Sequence, residues 1–277
     1  MTIVCPPELR NIYRDGRLLP FIGAGSSMSV QWSDSGIAKR GPSWKEMVDQ
    51  AARILGFGDP DLLRVRGTDL QILEYFKTVE TTAKLTNWLQ NNMRPPDDAL
   101  EASQIHSELA RLSNCSIFYT TNYDAFIERS FNLNKRDCII VADEAGMGKR
   151  SGSAEIVKFH GDFDHPDNMV LSESDYEKRL KFETPMDYRL RSDILGRSLL
   201  FIGYSFNDWN VSYLFRLVNE HLGELPVSFS GKRAYIIIAN PSDFERLLFK
   251  TRKIEVIPSY GSDLAADIAA LLRELRS

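Results

Sequence analysis

Seven short apolar runs separated by amphipathic stretches constrain this chain more than any other feature. They are Leu18 to Ile22, Ser116 to Thr120, Cys138 to Ala142, Glu155 to Phe159, Leu199 to Gly203, Ala234 to Ala239 and Ile254 to Ile257. Each is rich in Ile, Val, Leu, Phe or Tyr and lacks the polar alternation of a strand with one wet face. Strands buried on both faces need helices above and below them. The pattern therefore predicts an α/β fold, a mostly parallel sheet with helices on both faces. The longest strand-free interval, at about 42–112, carries helical patterns at Trp44 to Leu55, Leu70 to Leu89 and Ile105 to Leu112. It reads as a helical insertion within one domain spanning 1–277. Arg94-Pro-Pro-Asp-Asp98 is its clearest break, because consecutive prolines stop a helix. At the far end, Ser262 to Arg276 is an amphipathic helix with Leu264, Ile268, Leu271, Leu272 and Leu275 on one face, expected to pack on the sheet.

Composition excludes several classes. With 43% hydrophobic and 26% charged residues among 277, the chain is ordinary globular material with room for a sizeable core. Its net charge of -4 is spread along the chain and gives no electrostatic footprint for nucleic acid, so no direct nucleic-acid binding is predicted. No uninterrupted apolar stretch is long enough to span a bilayer, and Met1 to Pro7 lacks the charged and apolar regions of a signal peptide. No membrane contact and a cytoplasmic location are expected. Cys5, Cys115 and Cys138 form no CxxC pair, and His106, His160, His165 and His221 have no helical metal-pair spacing. No metal is predicted.

The chemistry-bearing residues gather where the predicted strands end. Phe21-Ile-Gly-Ala-Gly-Ser-Ser27 follows the first run, Tyr119-Thr-Thr-Asn-Tyr-Asp124 the second, Lys158-Phe-His-Gly-Asp162 the fourth and Phe201-Ile-Gly-Tyr-Ser-Phe-Asn-Asp208 the fifth. Carboxyl ends of strands are where open α/β sheets put their ligand crevice. Each cluster also has a plain structural account. Gly23 and Gly25 suit either a phosphate loop or a tight turn needing positive φ. Met28 stands where a third glycine would complete GxGxxG. Asn122 or Asp124 suits a cap for the following helix, and Gly203 and Ser205 suit a simple strand exit with Asn207 or Asp208 capping the next helix. His160 alone would read as a buried core histidine. Asp162, Asp164 and His165 read as a solvated turn.

In this order and over most of the chain, GAGSS, TTNYD, KFHGD and FIGYSFND resemble the sirtuin-like (silent information regulator) family. The prokaryotic anti-phage defence branch is the most similar, since there Gly-Pro-Ser-Trp, here Gly41 to Trp44, often opens the helix after the glycine loop. The resemblance implies a Rossmann-like domain binding NAD as substrate, a helical module beside it, and cleavage of the nicotinamide–ribose bond. Two features depart from the deacylases of that family. The zinc module with its two CxxC pairs is missing, and Ser35-Gly-Ile-Ala38 only echoes the loop that usually follows the glycines. NAD hydrolysis to nicotinamide and ADP-ribose is therefore weighted above protein deacylation or ADP-ribosyl transfer. A non-catalytic subunit that senses NAD or ADP-ribose is the remaining alternative.

By motif position, Gly23, Ala24, Gly25 and Ser26 are expected to place backbone N–H groups around the pyrophosphate. Thr121, Gly161, Gly203, Ser205 and Asp208 complete the expected NAD-binding set. Asn122, Asp124 and His160 are the expected catalytic residues: an amide to hold a ribose hydroxyl or water, a carboxylate to stabilise charge growing on the ribose, and an imidazole as base. The resemblance further implies an assembly, either a homo-oligomer or a complex with a HerA-type hexameric ATPase or a short Argonaute protein.

Overall fold

The computed structural model describes residues 3–148, 154–181, 183–205 and 234–277. Nine strands are present among them: β1 Leu18–Ile22, β2 Gln31–Asp34, β3 Ile37–Arg40, β4 Ile117–Thr120, β5 Ile139–Val141, β6 Glu155–Lys158, β7 Ser198–Ile202, β8 Ala234–Ala239 and β9 Ile254–Ser259. All seven apolar runs become strands of one sheet, in the order β5-β6-β4-β1-β7-β8-β9. Every neighbouring pair is parallel. From β1 the chain moves out to β4, β5 and β6, then returns to the other side of β1 at β7. That reversal opens a crevice at the carboxyl ends of β4, β1 and β7.

β1 is buried along its whole length. Its alternation divides the core into two layers. Leu18 and Ile22 join Phe118, Ile156, Leu200, Ile202 and Tyr235 under the helices Pro7–Arg14, Gln104–Ala110, Phe126–Leu133 and Leu264–Arg276. Leu19 and Phe21 join Tyr119, Val157, Phe159, Phe201 and Ile236 on the opposite face, under Pro185–Ile194 and Asp243–Thr251. Pro20, which has no N–H, sits on the β4 side before pairing with β4 begins at Phe21 and Tyr119. The C-terminal helix buries Ile268, Leu271, Leu272 and Leu275 as expected, while Leu264, at its first turn, is partly exposed.

Between β1 and β4 come the short helix Ala24–Met28, a hairpin and six further helices, Trp44–Ile54, Pro60–Arg64, Asp69–Val79, Thr82–Asn92, Asp97–Ala102 and Gln104–Ala110. Most of them pack around Met47, Val48, Leu73, Phe76, Leu85 and Leu89, and that cluster also receives Met169 and Leu171 from the segment after β6. The last helix instead sends Ile105 and Leu109 into the sheet core. The β2–β3 hairpin escapes an apolar-run reading because its residues are largely exposed. Its signal is the turn: Ser35 and Gly36 have φ of 53° and 80°, the positive pair that a two-residue hairpin loop requires.

His106 lies wholly within the core, with Nδ1 2.7 Å from Ser103 Oγ and its ring edge-on to Phe126. Burial pushes its pKa down to about 4, partly opposed by the Asp124 carboxylate. Between that value and the ordinary 6.5, the unfolded chain binds a proton that the native chain does not, so stability falls as the pH falls. Acidification from pH 7 to pH 5 should cost about 2 kcal/mol through this group. Urea midpoints at the two pH values check it: the drop should shrink in His106→Gln, and a pH-independent midpoint in the unaltered protein contradicts it.

Candidate active site

The exit of β1 is bonded to the exit of β7. Gly23 caps the short helix Ala24–Met28, and its N–H donates to the Ile202 carbonyl at 2.8 Å. The Gly25 N–H donates to the Gly203 carbonyl at 2.8 Å, and the Ser26 N–H and Oγ both donate to the Gly23 carbonyl, at 3.1 and 2.8 Å. This close approach explains the glycines. A Cβ on Gly25 would lie 2.8 Å from the Gly203 carbonyl oxygen, and one on Gly203 would lie 2.6 Å from the Ser26 nitrogen. At these two exits the positive φ falls on Gly203, at 75°, whereas Gly23 is extended. With three donors spent internally, the exposed Ala24 N–H is the one in Gly23 to Ser26 without an acceptor among the described residues.

β4 closes onto the same point. The Ile22 carbonyl accepts from the Thr121 N–H at 3.2 Å, from Thr120 Oγ1 at 2.9 Å and from the Tyr204 hydroxyl at 3.0 Å. Thr121 Oγ1 is 3.0 Å from that hydroxyl, so Thr121 braces Tyr204. Asn122 is buried, and its Nδ2 donates to the Gly23 carbonyl at 3.0 Å and to Ser27 Oγ at 2.9 Å. Ser27 Oγ in turn donates to Asp124 Oδ2 at 2.8 Å. Because a carboxylate only accepts, the serine proton must point at Asp124, and the serine lone pair is left to accept from Asn122. The amide is thereby oriented with Nδ2 inward. Its Oδ1 is buried without a partner among the described residues.

Both oxygens of Asp124 are occupied, since Oδ1 accepts from the Phe126 N–H at 3.0 Å. The carboxylate thus caps the helix Phe126–Leu133 and holds Ser27. It does not stand open to the crevice.

His160 occupies the matching place on β6. Thr120 pairs with Lys158, so Asn122 and His160 each lie two residues beyond one rung of the sheet. The His160 ring stacks on Phe159 and meets Tyr176 edge-on, with centroids 5.5 Å apart. It is buried, and neither ring nitrogen has a hydrogen-bond partner among the described residues. Burial, reinforced by the Arg179 guanidinium and opposed by Asp175, holds its pKa well below the ordinary value, so the imidazole is neutral. Gly161, with φ of 78°, lets the chain turn under Asn168, where a Cβ would lie 2.8 Å from a carbonyl oxygen. The Val170 N–H then returns to the His160 carbonyl at 3.0 Å. Asp162, Asp164 and His165 form a turn: Asp162 Oδ1 accepts from both following N–H groups and lies 2.9 Å from His165 Nδ1.

A cavity of about 700 Å³ opens beside these exits, walled by Ala24, Gly25, Trp44, Tyr176, Gly203 and Ser205 among others. Asn122 and His160 are not on its wall; Tyr176 is, and it touches His160. Asp208, expected at the β7 exit, lies outside the described residues. Among the described residues, no group of three or more His, Cys, Asp or Glu is placed to hold a metal, and no helix is long and apolar enough to cross a membrane.

Residues 116–257, from β4 to β9, match the SIR2-like domain. The chain belongs to that family. It is 28% identical over 202 residues to the NAD(+) hydrolase ThsA of Bacillus cereus (strain MSX-D12), a match covering 72% of this chain and 39% of that protein. To the NAD(+) hydrolase ThsA of Acinetobacter baumannii (strain 532279) it is 31% identical over 125 residues, 44% of this chain and 26% of the relative. To Defense-associated sirtuin 2 of Bacillus subtilis it is 23% identical over 247 residues, 88% of this chain and 23% of the relative. The chain thus spans well under half the length of these curated relatives.

Four participants went unassigned in the sequence. Ser27 adjoins the expected set, and Trp44 and Tyr204 lie inside quoted motifs, yet nothing in their spacing shows that they wall one cavity. Tyr176 carries no local signal at all, because Glu173–Leu180 brings it back to His160 through tertiary packing alone. The glycine geometry yields a test: Gly203→Ala should lower stability by roughly 2 to 4 kcal/mol, from strained φ plus overlap with the Ser26 backbone. Chemical denaturation reads it, and a loss under about half a kcal/mol would show that the two exits are not in contact.

Proposed function

We propose that this chain hydrolyses NAD, cleaving the bond between nicotinamide and ribose to release nicotinamide and ADP-ribose, as a cytoplasmic agent of anti-phage defence. The observation that carries the reading is the pair of unsatisfied buried groups, Asn122 Oδ1 and the neutral His160 imidazole, at equivalent places on adjacent strands. Buried polar atoms left without partners are uncommon and point to a ligand that completes them. The relatives named as NAD(+) hydrolases and as a defence-associated sirtuin support the same reading.

In this reaction nicotinamide leaves with the bonding pair, positive charge grows on the ribose, and a water oxygen bonds to the anomeric carbon. Asn122 Oδ1 accepts from a ribose hydroxyl or from that water, while His160 takes the proton the water gives up. Burial keeps the His160 ring neutral, so a ring nitrogen is free to accept that proton. Asp124 acts through Ser27 by fixing the Asn122 amide. The Ala24 N–H serves the pyrophosphate, and the cavity beside Gly203 and Ser205 takes the adenosine half. Tyr176 shifts to admit the nicotinamide end. Because unrestrained NAD loss is lethal, activity is gated by self-association or by a partner such as a HerA-type ATPase or a short Argonaute.

Purified protein incubated with NAD, with products separated by chromatography, tests the reading. Nicotinamide and ADP-ribose should appear, vanish in His160→Ala, and fall at least about tenfold in Asn122→Ala while calorimetric NAD binding persists. A His160→Ala variant that keeps most of its rate removes that residue from the chemistry. The rate at saturating NAD should show no fall centred near pH 6.5; such a fall would mean an ordinary exposed histidine is the base.

A further inference from the structure

Lys158 opens the motif that carries His160. Its side chain is almost wholly buried at the end of β6, facing the helix Phe126–Leu133. Nζ lies 3.0 Å from Glu128 Oε1, and it also donates to the main-chain carbonyl of Asp124. Glu128 is equally buried, and its Oε2 has no partner among the described residues. A buried ion pair left incompletely satisfied is a poor source of stability, because desolvation of two charges offsets their attraction and well-packed apolar residues do as well or better. Placement gives this pair another use. The ammonium joins the strand end two residues before His160 to the loop two residues after Asn122, while Glu128 fixes where the ammonium sits.

We propose that Lys158 and Glu128 are positioning residues that hold the Asn122 loop at a set distance from His160. The proposal rests on the reading that Asn122 and His160 act together on NAD. If so, catalysis should depend on the pair more than folding does. Lys158→Met alone strands a buried carboxylate and should lower the melting temperature. Lys158→Met combined with Glu128→Leu removes both charges at similar volume and should restore it.

In the double variant, kcat for NAD should stay down at least about tenfold with KM changed less than about threefold, the mark of lost alignment rather than lost binding. Hydrogen exchange supplies a readout independent of turnover: amides of the segment 121–126 should exchange faster in the double variant than in the unaltered protein. A double variant that regains kcat, with unchanged exchange in that segment, overturns the proposal and leaves the pair a structural one. If the unaltered protein releases no nicotinamide, the functional reading fails by itself and the exchange comparison alone decides the positioning claim. Should the double variant not fold, Lys158→Arg keeps the charge while moving the donor. It should lose at least about fivefold in kcat at a near-normal melting temperature, by the same alignment argument, and an unchanged kcat would overturn the claim.

Discussion

One backbone carbonyl, that of Ile22, collects three hydrogen bonds where three strands end. Thr120 and Thr121 reach it from β4 and Tyr204 reaches it from beyond β7. The next carbonyl, Gly23, takes Asn122 and Ser26. These bonds lie in a buried setting where an unmet donor or acceptor is costly, so they fix the exits of β1, β4 and β7 relative to one another. The glycines follow from that constraint, since any Cβ on Gly25 or Gly203 would occupy backbone space of the other strand. Much of the loop's hydrogen-bonding capacity is thereby committed to its own architecture, which narrows what is left for a ligand.

What remains uncommitted is informative because so much else is satisfied. Ser27 stands between an obligate acceptor, Asp124, and the Asn122 amide, and this dictates which end of the amide faces inward. Asn122 Oδ1 and the two nitrogens of His160 are the exceptions at the ends of β4 and β6. An imidazole with neither nitrogen bonded is an expensive core residue, and burial keeps it neutral, with a lone pair left for a ligand. His106 differs in part: its Nδ1 meets Ser103, though its Nε2 is also without a partner among the described residues, and it sits on the helix Gln104–Ala110 with its ring against Phe126.

The sheet was legible in the sequence because its strands are buried on both faces and so read as unbroken apolar runs. The β2–β3 hairpin was not, since exposed strands carry no such run and only Ser35-Gly36 betrays the turn. At the strand ends, the structure brings the motif residues Gly23, Asn122, His160 and Gly203 together at the carboxyl end of the sheet. The finer assignments lay in tertiary contacts. Nothing in the spacing separates Asp124 as a cap and brace from Asp124 as an open carboxylate, and that depends on where Ser27 and Phe126 fall in space. Tyr176 and the Lys158–Glu128 pair were hidden for the same reason. The turn at Asp162 to His165 was readable because it is made by bonds between residues two and three apart.

The central claim is that Asn122 and His160 complete their hydrogen bonding on one and the same ligand, the ribose at the nicotinamide end of NAD. A crystal structure of the His160→Gln variant with NAD bound tests it most directly. The account predicts a ribose hydroxyl or an ordered water within hydrogen-bonding distance of Asn122 Oδ1 and of the side-chain amide that replaces the imidazole, with Tyr176 displaced from its present position. A dinucleotide seated with its nicotinamide ribose elsewhere, and Asn122 Oδ1 still without a partner, would contradict it.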